Sequence, residues 1–422
     1  MEYKVNNLLY ASGSDMLGTL RCVITLNEPV NKQVLENALK KAAVRFPYFS
    51  VKLVKRDEEY RMVTNDLPFV ISPNGQTVTL GTEESNYHLF AFAIDGCRLY
   101  VDTSHFITDG YGKTPFMLAI LYFYLVELHP DETFDPQMIE YFENAASDAE
   151  EDDAPYPDEL LPEESVGNNE RPEKVFMLQD QINGYEYMDQ WTSFVYLIKQ
   201  KDLMAYVSGL DGSPVTFIAS MLYWTITECH PENRLPIVCG VQHQFRNALG
   251  KPFSHLCHVN IAPIIFHYDF DAIEVEKLNT MARGQLMIVS DDSNDVLTIN
   301  EHIRNDRMIR NMDLSQKQEY MQKAIRKGIG TNTFEISYTG RVPWGGMDKY
   351  VKNLIPYLDL TLSGGISIEI FSVGDSFGVN IMQRNGDTKY VDRFSCLLDE
   401  MEVHYTAEAP EHFKLCGIKL PD

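Results

Sequence analysis

The sequence lacks a long hydrophobic run, and it is short of positive charge. Its 422 residues include 36 lysines and arginines against 61 aspartates and glutamates, which gives a formal net charge of −25. Nucleic-acid binding needs a concentrated basic face and anionic membranes attract basic segments, so neither partner is expected. The most apolar stretch, residues 115–128, falls short of the roughly 20 residues that span a bilayer. No basic region followed by an apolar run marks a signal peptide at the amino terminus.

Cysteine is sparse and shows no pairing pattern. The seven cysteines are scattered, and no two of them form a CxxC pair. Such a set is typical of buried thiols in a reducing compartment and not of a disulfide framework, so we predict a soluble cytoplasmic protein. His255 and His258 flank Cys257, with His243 upstream, but this spacing matches no established zinc site, and no metal is expected.

Several catalytic motifs are missing as well. No GxSxG elbow, P-loop or GxGxxG turn stands between a strand and a helix in its proper context. The sequence therefore does not support a serine hydrolase, an NTPase or a dinucleotide-binding enzyme. What is present is an ordinary globular composition, with 44% hydrophobic and 23% charged residues.

An acidic stretch separates two halves that both mix strand and helix patterns. A chain of 422 residues exceeds one ordinary core, so two domains are expected. The stretch is acidic, contains proline and has little apolar periodicity, as in a solvated linker; a docking surface for a basic partner is the alternative. We predict a first lobe over residues 1–143, a linker over 144–174 and a second lobe over 175–422, each lobe a layered α/β unit.

An HxxxDG motif, formed by His105, Asp109 and Gly110, follows a predicted strand and precedes an apolar helix. Thr114 and Pro115 are predicted as the N-cap and first-turn residues of that helix. A histidine near its ordinary pKa accepts a proton at neutral pH once its tautomer is fixed. The aspartate can brace the loop through an arginine, and the glycine can let a substrate pass close to the backbone. A structural histidine is the alternative interpretation.

The motif resembles the active-site motif of the chloramphenicol acetyltransferase-like superfamily. This group includes peptide-synthetase condensation domains, plant BAHD acyltransferases, polyketide-associated acyltransferases and alcohol acetyltransferases. Weaker resemblance extends over most of the chain, through "VLENALKKAAVRFPYFSVKLV", "VQHQFRNALGKPFSHLCHVNIAPI", "FEISYTGRV" and "KYVDRFSCLLDEM". Ser104 stands where condensation domains usually carry a second histidine, and the BAHD motif is absent, so the alcohol acetyltransferase branch is favoured.

The resemblance implies an α/β fold, a mixed α+β sandwich of two lobes with a tunnel between them. It implies an acyltransferase in which His105 is the general base. The acyl donor would be acyl-CoA or acyl-phosphopantetheine on a carrier protein, and the acceptor a small alcohol or amine, with no bound cofactor. Asp109 is expected to form a structural salt bridge with Arg246, and Gly110 to line the tunnel wall.

Two further sets of residues are candidates for substrate contacts. An oxyanion needs hydrogen-bond donors, and the tunnel candidates are Ser104, Asn260, Ser337, Tyr338 and Thr339. Donor phosphates need cations, for which the candidates are Lys323, Arg326 and Lys327; cations are also common at such a helix end. A non-catalytic module that binds a ligand or carrier protein, and a thioester hydrolase, remain alternative functions.

Overall fold

The computed structural model describes residues 2–13, 16–144, 154–163, 171–178, 191–209, 212–268, 273–361 and 365–421. The strands in these ranges are β1 (Glu2–Lys4), β2 (Thr19–Leu26), β3 (Val51–Arg56), β4 (Glu59–Thr64), β5 (Ile71–Pro73), β6 (Phe90–Asp95), β7 (Arg98–Ser104), β8 (Thr192–Lys199), β9 (Ile237–Gln244), β10 (Val259–Phe266), β11 (Phe334–Tyr338), β12 (Val351–Tyr357), β13 (Ile366–Val373), β14 (Ser376–Gln383), β15 (Tyr405–Ala407) and β16 (Glu411–His412).

The α-helices of the described ranges are α1 (Lys32–Arg45), α2 (Gly110–Leu128), α3 (Pro136–Glu143), α4 (Gln200–Gly209), α5 (Pro214–Cys229), α6 (Val275–Val289), α7 (Asp292–Ile309), α8 (Leu314–Ile329) and α9 (Lys389–Glu400). Within these ranges, none of the helices combines the length and the apolar character that a bilayer crossing requires.

Strands β2, β5, β6 and β7 from the first half of the chain and β12 from the second half build a five-stranded sheet in the order β12-β2-β7-β6-β5. Its β6-β7 hairpin closes at the predicted Asp-Gly turn, where Gly96 takes a φ of +57° that glycine adopts without strain. Leu35 and Leu39 of α1, and Phe116 of α2, share one core cluster with Phe90 of the sheet. Helix α2 is thereby fixed against the sheet that carries the histidine of the motif.

The second half builds a larger sheet in the order β10-β9-β11-β13-β14-β8-β15, with β16 beside β8. Strands β9, β11 and β13 run parallel, and the other pairings are antiparallel. Phe217 of α5 and Phe394 of α9 are fully buried in one cluster with Ile336 and Ile368 of the sheet. This helix-covered sheet is the second lobe.

Strand β12 joins the two sheets, although sequence analysis did not recognise it as a strand. It follows the second-half helices in the chain, yet it pairs antiparallel with β2 at the edge of the first sheet. Pro356 lacks an N–H and is tolerated because β12 is an edge strand. Its carbonyl accepts a 2.8 Å hydrogen bond from the side-chain amide of Asn380 in β14. The first sheet therefore contains a strand from beyond the predicted division at residues 144–174, and the domain boundaries stay a prediction.

Part of the predicted acidic linker packs on helix α7. Residues 145–153 and 164–170 lie outside the described residues. In the described part, the side chain of Asn300 bonds both to the N–H of Leu161, at 2.8 Å, and to its carbonyl, at 2.9 Å. The ring of Tyr156 stacks on His302 with 5.1 Å between the ring centroids. Residues 154–163 therefore contact the second lobe, and the linker over 144–174 stays a prediction.

Candidate active site

The loop that carries His105 begins where β7 ends and is held from its first residue. The His105 N–H donates to the carbonyl of Gly18, just before β2, over 2.7 Å. Gly18 has a φ of +60°, and a Cβ at this position would lie 2.0 Å from the ring of Phe106. Only glycine fits there, so the start of β2 fixes the backbone of the histidine.

The imidazole of His105 has a defined tautomer. Its Nδ1 lies 3.0 Å from the carbonyl oxygen of Thr108, three residues on. A carbonyl only accepts, so in the neutral ring Nδ1 carries the hydrogen and Nε2 carries the lone pair. Nε2 has no hydrogen-bond partner among the described residues. The geometry thus leaves a basic nitrogen available for a substrate proton.

The surroundings keep this imidazole neutral. Burial lowers the pKa of His105; the Thr108 carbonyl and the charge of Asp109 oppose that effect, and the ammonium of Lys113 adds to it. The thiol of Cys257 lies 3.9 Å from Nδ1, and burial raises the pKa of that thiol, which stays protonated. A histidine with a lowered pKa is unprotonated at neutral pH, as a general base must be.

Asp109 faces the second lobe and not the substrate space. Both of its carboxylate oxygens accept 2.9 Å hydrogen bonds from Arg246, and both residues are 1% exposed. The same carboxylate accepts from the N–H of Gly112 at 2.8 Å and from the N–H of His258 at 2.9 Å. The ring of Tyr111 lies 4.8 Å from the guanidinium carbon of Arg246. This closed pair ties the histidine loop to the 246–258 segment.

Helix α2 begins earlier than predicted. Asp109 is the N-cap and Gly110 the first residue, whereas Pro115 lies inside the helix. The hydroxyl of Thr114 donates back to the carbonyl of Gly110 at 2.7 Å instead of capping a new helix. The expectation that Thr114 and Pro115 start the helix is therefore wrong, because the motif aspartate supplies the cap.

The two glycines at the start of α2 are places where the lobes touch. A Cβ on Gly112 would lie 2.4 Å from the backbone oxygen of His255. A Cβ on Gly110 would lie 2.5 Å from Cγ2 of Thr339. Gly110 does not have a positive φ, so the residue is needed for space and not for an unusual backbone conformation. Sequence analysis missed the matching role of Gly112.

Two adjoining cavities lie between the lobes. The inner cavity, about 60 Å³, is lined by His105, Gly110 and Leu354, among others. The outer cleft, about 690 Å³, is lined among others by Phe253 and Arg341. Residues shared by both linings are Thr114, Thr339, Gly340 and Val342. The partly exposed imidazole therefore stands at the inner end of a passage between the halves.

The inner cavity also holds two charged residues that sequence analysis missed. Lys113 of α2 and Glu369 of β13 both line it and are 6% and 8% exposed. Burial raises the pKa of Glu369 to about 7, opposed by the Ser337 hydroxyl and by Lys113. Burial likewise lowers the pKa of Lys113. The sequence does contain a signal for both residues, because each is the single charge in an apolar run: Lys113 in "KTPFMLAILYFY" and Glu369 in "ISIEIFSV".

The predicted oxyanion candidates divide into two groups. Ser337 and Thr339 line the inner cavity. Tyr338 points to the opposite face of β11 and packs on Phe377, because side chains alternate along a strand. The amide of Asn260 donates to Thr298 at 3.0 Å. Ser104 is fully buried, and neither it nor Tyr338 nor Asn260 lines either cavity. For these three residues, a place in the tunnel wall stays a prediction to which neither cavity adds support.

The other predicted residues lie away from both cavities. Lys323, Arg326 and Lys327 are exposed on α8 and line neither the inner cavity nor the outer cleft, so their phosphate role stays a prediction. His258 bonds to the hydroxyl of Ser254 at 3.0 Å. In the described part of the chain, no three His, Cys, Asp or Glu side chains converge as they would around a metal ion.

Comparison with known proteins gives matches of structure only. No protein-family profile matches the chain, and a search of curated proteins finds no significant match. Among solved structures, TRI101 of F. graminearum, complexed with coenzyme A and deoxynivalenol, is 12% identical; the match covers 96% of this chain and 99% of that one with a TM-score of 0.61. The condensation domain of the monacolin K polyketide synthase MokA is 8% identical over 95% of this chain and 96% of that one, with a TM-score of 0.57.

A third similar structure is polyketide synthase associated protein 5 from Mycobacterium tuberculosis. It is 11% identical, and the match covers 92% of this chain and 96% of that one with a TM-score of 0.55. The chain has the chloramphenicol acetyltransferase-like fold. The predicted fold class, two α/β lobes of this type, is thereby confirmed. At these identities the likeness establishes the fold, and the chemistry has to be argued from the site.

Proposed function

We propose that the protein is an acyltransferase that moves an acyl group from a thioester to the hydroxyl or amino group of a small acceptor. The observation that carries this proposal is the imidazole of His105. Its Nδ1–H is fixed on the Thr108 carbonyl, and its Nε2 is left for a proton beside a cavity between the lobes. A positioned base of lowered pKa is what the attack of an alcohol or amine on a thioester needs.

The proposed reaction has two steps. The acceptor oxygen or nitrogen forms a bond to the thioester carbonyl carbon while Nε2 of His105 takes its proton. The tetrahedral intermediate then collapses, the carbon–sulfur bond breaks, and the imidazolium returns the proton to the thiolate. Donors near the carbonyl oxygen lower the barrier; Ser337 and Thr339, which line the inner cavity, are our candidates. Asp109 acts on this chemistry through the position of the loop and through its charge, which opposes the lowering of the His105 pKa.

The donor is proposed from chemistry and from the similar structures. TRI101 was crystallised with coenzyme A, which supports acyl-CoA as the co-substrate. The likeness to a polyketide-synthase condensation domain supports acyl-phosphopantetheine on a carrier protein as the alternative. No resident cofactor or metal enters the proposed steps. All seven cysteines are free, which suits the reducing cytoplasm where we place the reaction.

The test is incubation with acetyl-CoA and a panel of small alcohols and amines, with mass-spectrometric detection of acylated products. Replacement of His105 by Ala should lower turnover about 10²–10⁴-fold, the usual contribution of a general base. His404→Ala, at a histidine whose side chain is 82% exposed, is the matched control and should leave turnover unchanged. Near-wild-type turnover of the His105 variant would remove the histidine from the mechanism.

The same experiment separates the alternatives. A thioester hydrolase would release free thiol without forming any acylated acceptor. A non-catalytic binding module would release no thiol although acetyl-CoA binds. Acylated product that depends on His105 excludes both.

A further inference from the structure

Lys113 is a buried cation to which the fold gives no acceptor. Its side chain is 6% exposed and lines the inner cavity together with His105. Among the described residues, no oxygen lies within hydrogen-bond distance of its Nζ, and no carboxylate lies within 4.0 Å. Nζ is not one of the sealed polar atoms that lack a partner in the described part of the chain, so it is open to the inner cavity. Since the protein offers it no acceptor, an oxygen atom of a ligand that enters the cavity can bond to it.

Glu369 is the counter-charge of Lys113, but the two groups do not touch. The other carboxylates that act on Lys113 are those of Asp102 and Asp109. Each is already paired with an arginine: Asp102 with Arg21 at 2.6 Å, and Asp109 with Arg246 at 2.9 Å. The ammonium and the Glu369 carboxylate are thus left as an open pair, with the inner cavity lined by both.

The chemistry of this open pair selects a neutral group that both accepts and donates a hydrogen bond. Lys113 only donates, and an ionised Glu369 only accepts. With Glu369 ionised the pair is neutral as a whole, so a charged ligand would leave a net charge in a buried site. The inner cavity holds about 60 Å³, which fits a group of a few atoms. A hydroxyl group meets all three conditions.

We propose that Lys113 and Glu369 form a hydroxyl-binding subsite, so that the acceptor carries a second hydroxyl group beside the group that reacts at His105. Nζ of Lys113 donates to the oxygen of that hydroxyl, and Glu369 accepts its hydrogen. The substrate class is then a diol, a polyol or an amino alcohol. This inference rests on the proposed acyl transfer and deepens it.

The test compares straight-chain diols of three to six carbons with mono-alcohols of the same length. Initial rates with acetyl-CoA give kcat/KM for each matched pair. In the wild type, at least one diol should exceed its mono-alcohol by about 10-fold or more, since hydrogen bonds to charged groups are the stronger kind. In Lys113→Met and in Glu369→Gln the ratio should fall close to one. Lys352→Met, at an exposed lysine of β12, should keep the wild-type ratio.

Saturation-transfer NMR measures the equilibrium binding of the same alcohols in the absence of the acyl donor. This measurement tests the subsite independently of the reaction. Turnover that depends on His105 but is equal for diols and mono-alcohols overturns the subsite and leaves the acyltransferase standing. Diol binding that depends on Lys113, with no turnover, supports the subsite and overturns the reaction. Absence of both overturns both.

Two other outcomes also overturn the inference. An equal fall in the rates with diols and with mono-alcohols in Lys113→Met would mean that the ammonium stabilises the oxyanion and not a second hydroxyl. A preference for hydroxy acids that is lost in the same variant would make the site one for carboxylates.

Discussion

Two buried pairs of opposite charge each contribute one charge that acts on His105, and the two pairs are built differently. In the closed pair, Asp109 and Arg246 touch at 2.9 Å, and the carboxylate also accepts from two backbone amides. In the open pair, Lys113 and Glu369 both line the inner cavity and stay more than 4.0 Å apart. The closed pair faces the junction of the lobes, whereas the open pair faces the space where a substrate would lie.

The comparison distinguishes a pair that holds the histidine loop in place from a pair that lines the space for a substrate. A carboxylate that accepts four hydrogen bonds has no remaining lone pair for a substrate. Asp109 therefore serves as a cap and a brace. Burial raises the pKa of Glu369 to about 7, and the Ser337 hydroxyl and Lys113 oppose that rise. A buried charge whose bonding is unfinished is where a ligand is expected.

Removal of one partner from each pair should give the largest contrast in stability. Asp109→Asn leaves the charge of Arg246 buried and unpaired, and we expect it to lower the free energy of unfolding by about 3–5 kcal/mol. The double variant Lys113→Met/Glu369→Gln removes both charges of the open pair and should stay within about 1 kcal/mol of the wild type. Chemical denaturation measures both.

The closed pair would lose its structural role if Asp109→Asn unfolded at the wild-type denaturant concentration. An equally large loss in the double variant would show that the open pair is structural too, and the contrast between the pairs would disappear.

Alanine at Gly112, next to the closed pair, should destabilise the protein more than alanine at Gly110, which lines the inner cavity. Gly112→Ala forces a Cβ to within 2.4 Å of a backbone oxygen at the junction of the closed pair, and we expect a loss of about 1–3 kcal/mol in unfolding free energy. Gly110→Ala meets only the methyl group of Thr339, an exposed side chain that can move. Thermal melting should show a smaller loss of stability for Gly110→Ala than for Gly112→Ala. Adding Thr339→Ser to Gly110→Ala should restore most of that loss. If Thr339→Ser rescued Gly112→Ala equally well, the assigned contacts would be wrong.

The open pair should also tune the histidine, with a smaller effect. The active form of His105 is unprotonated and burial lowers its pKa, so the acid limb of kcat/KM should lie below pH 6.5. The ammonium of Lys113 contributes to that lowering, so Lys113→Met should move the limb to higher pH. A pH–rate profile with a mono-alcohol acceptor checks both. An acid limb above pH 6.5 in the wild type, or a shift to lower pH in the variant, would contradict the assignment.

The sequence alone leads to the fold and to the histidine because both depend on local patterns. The HxxxDG spacing, the Asp-Gly turn and the alternation around β7 lie within about 20 residues of one another. The sequence predicts the start of helix α2 too late in the chain, because the Thr114-Pro115 pair resembles an N-cap and first turn. In the structure the motif aspartate caps the helix and also pairs with Arg246. The sequence motif predicts the salt bridge of Asp109 but not its second function as the N-cap.

The rest depends on long-range contacts that no local pattern contains. Strand β12 pairs with β2, more than 300 residues earlier in the chain, and its proline makes the segment look like a loop. Glu369 and Lys113 are each visible as a single charge in an apolar run, but only the folded chain brings them to one cavity. A lone charge in a buried strand or helix is the signal that sequence analysis should have followed.

The central claim concerns the state of one imidazole, and NMR tests it directly. Long-range proton–nitrogen correlation spectra at pH 7, with the ring assigned by its loss in His105→Ala, report which nitrogen carries hydrogen. We predict a protonated Nδ1 and an unprotonated Nε2 for His105. A ring with the hydrogen on Nε2, or with both nitrogens protonated at that pH, would contradict the account.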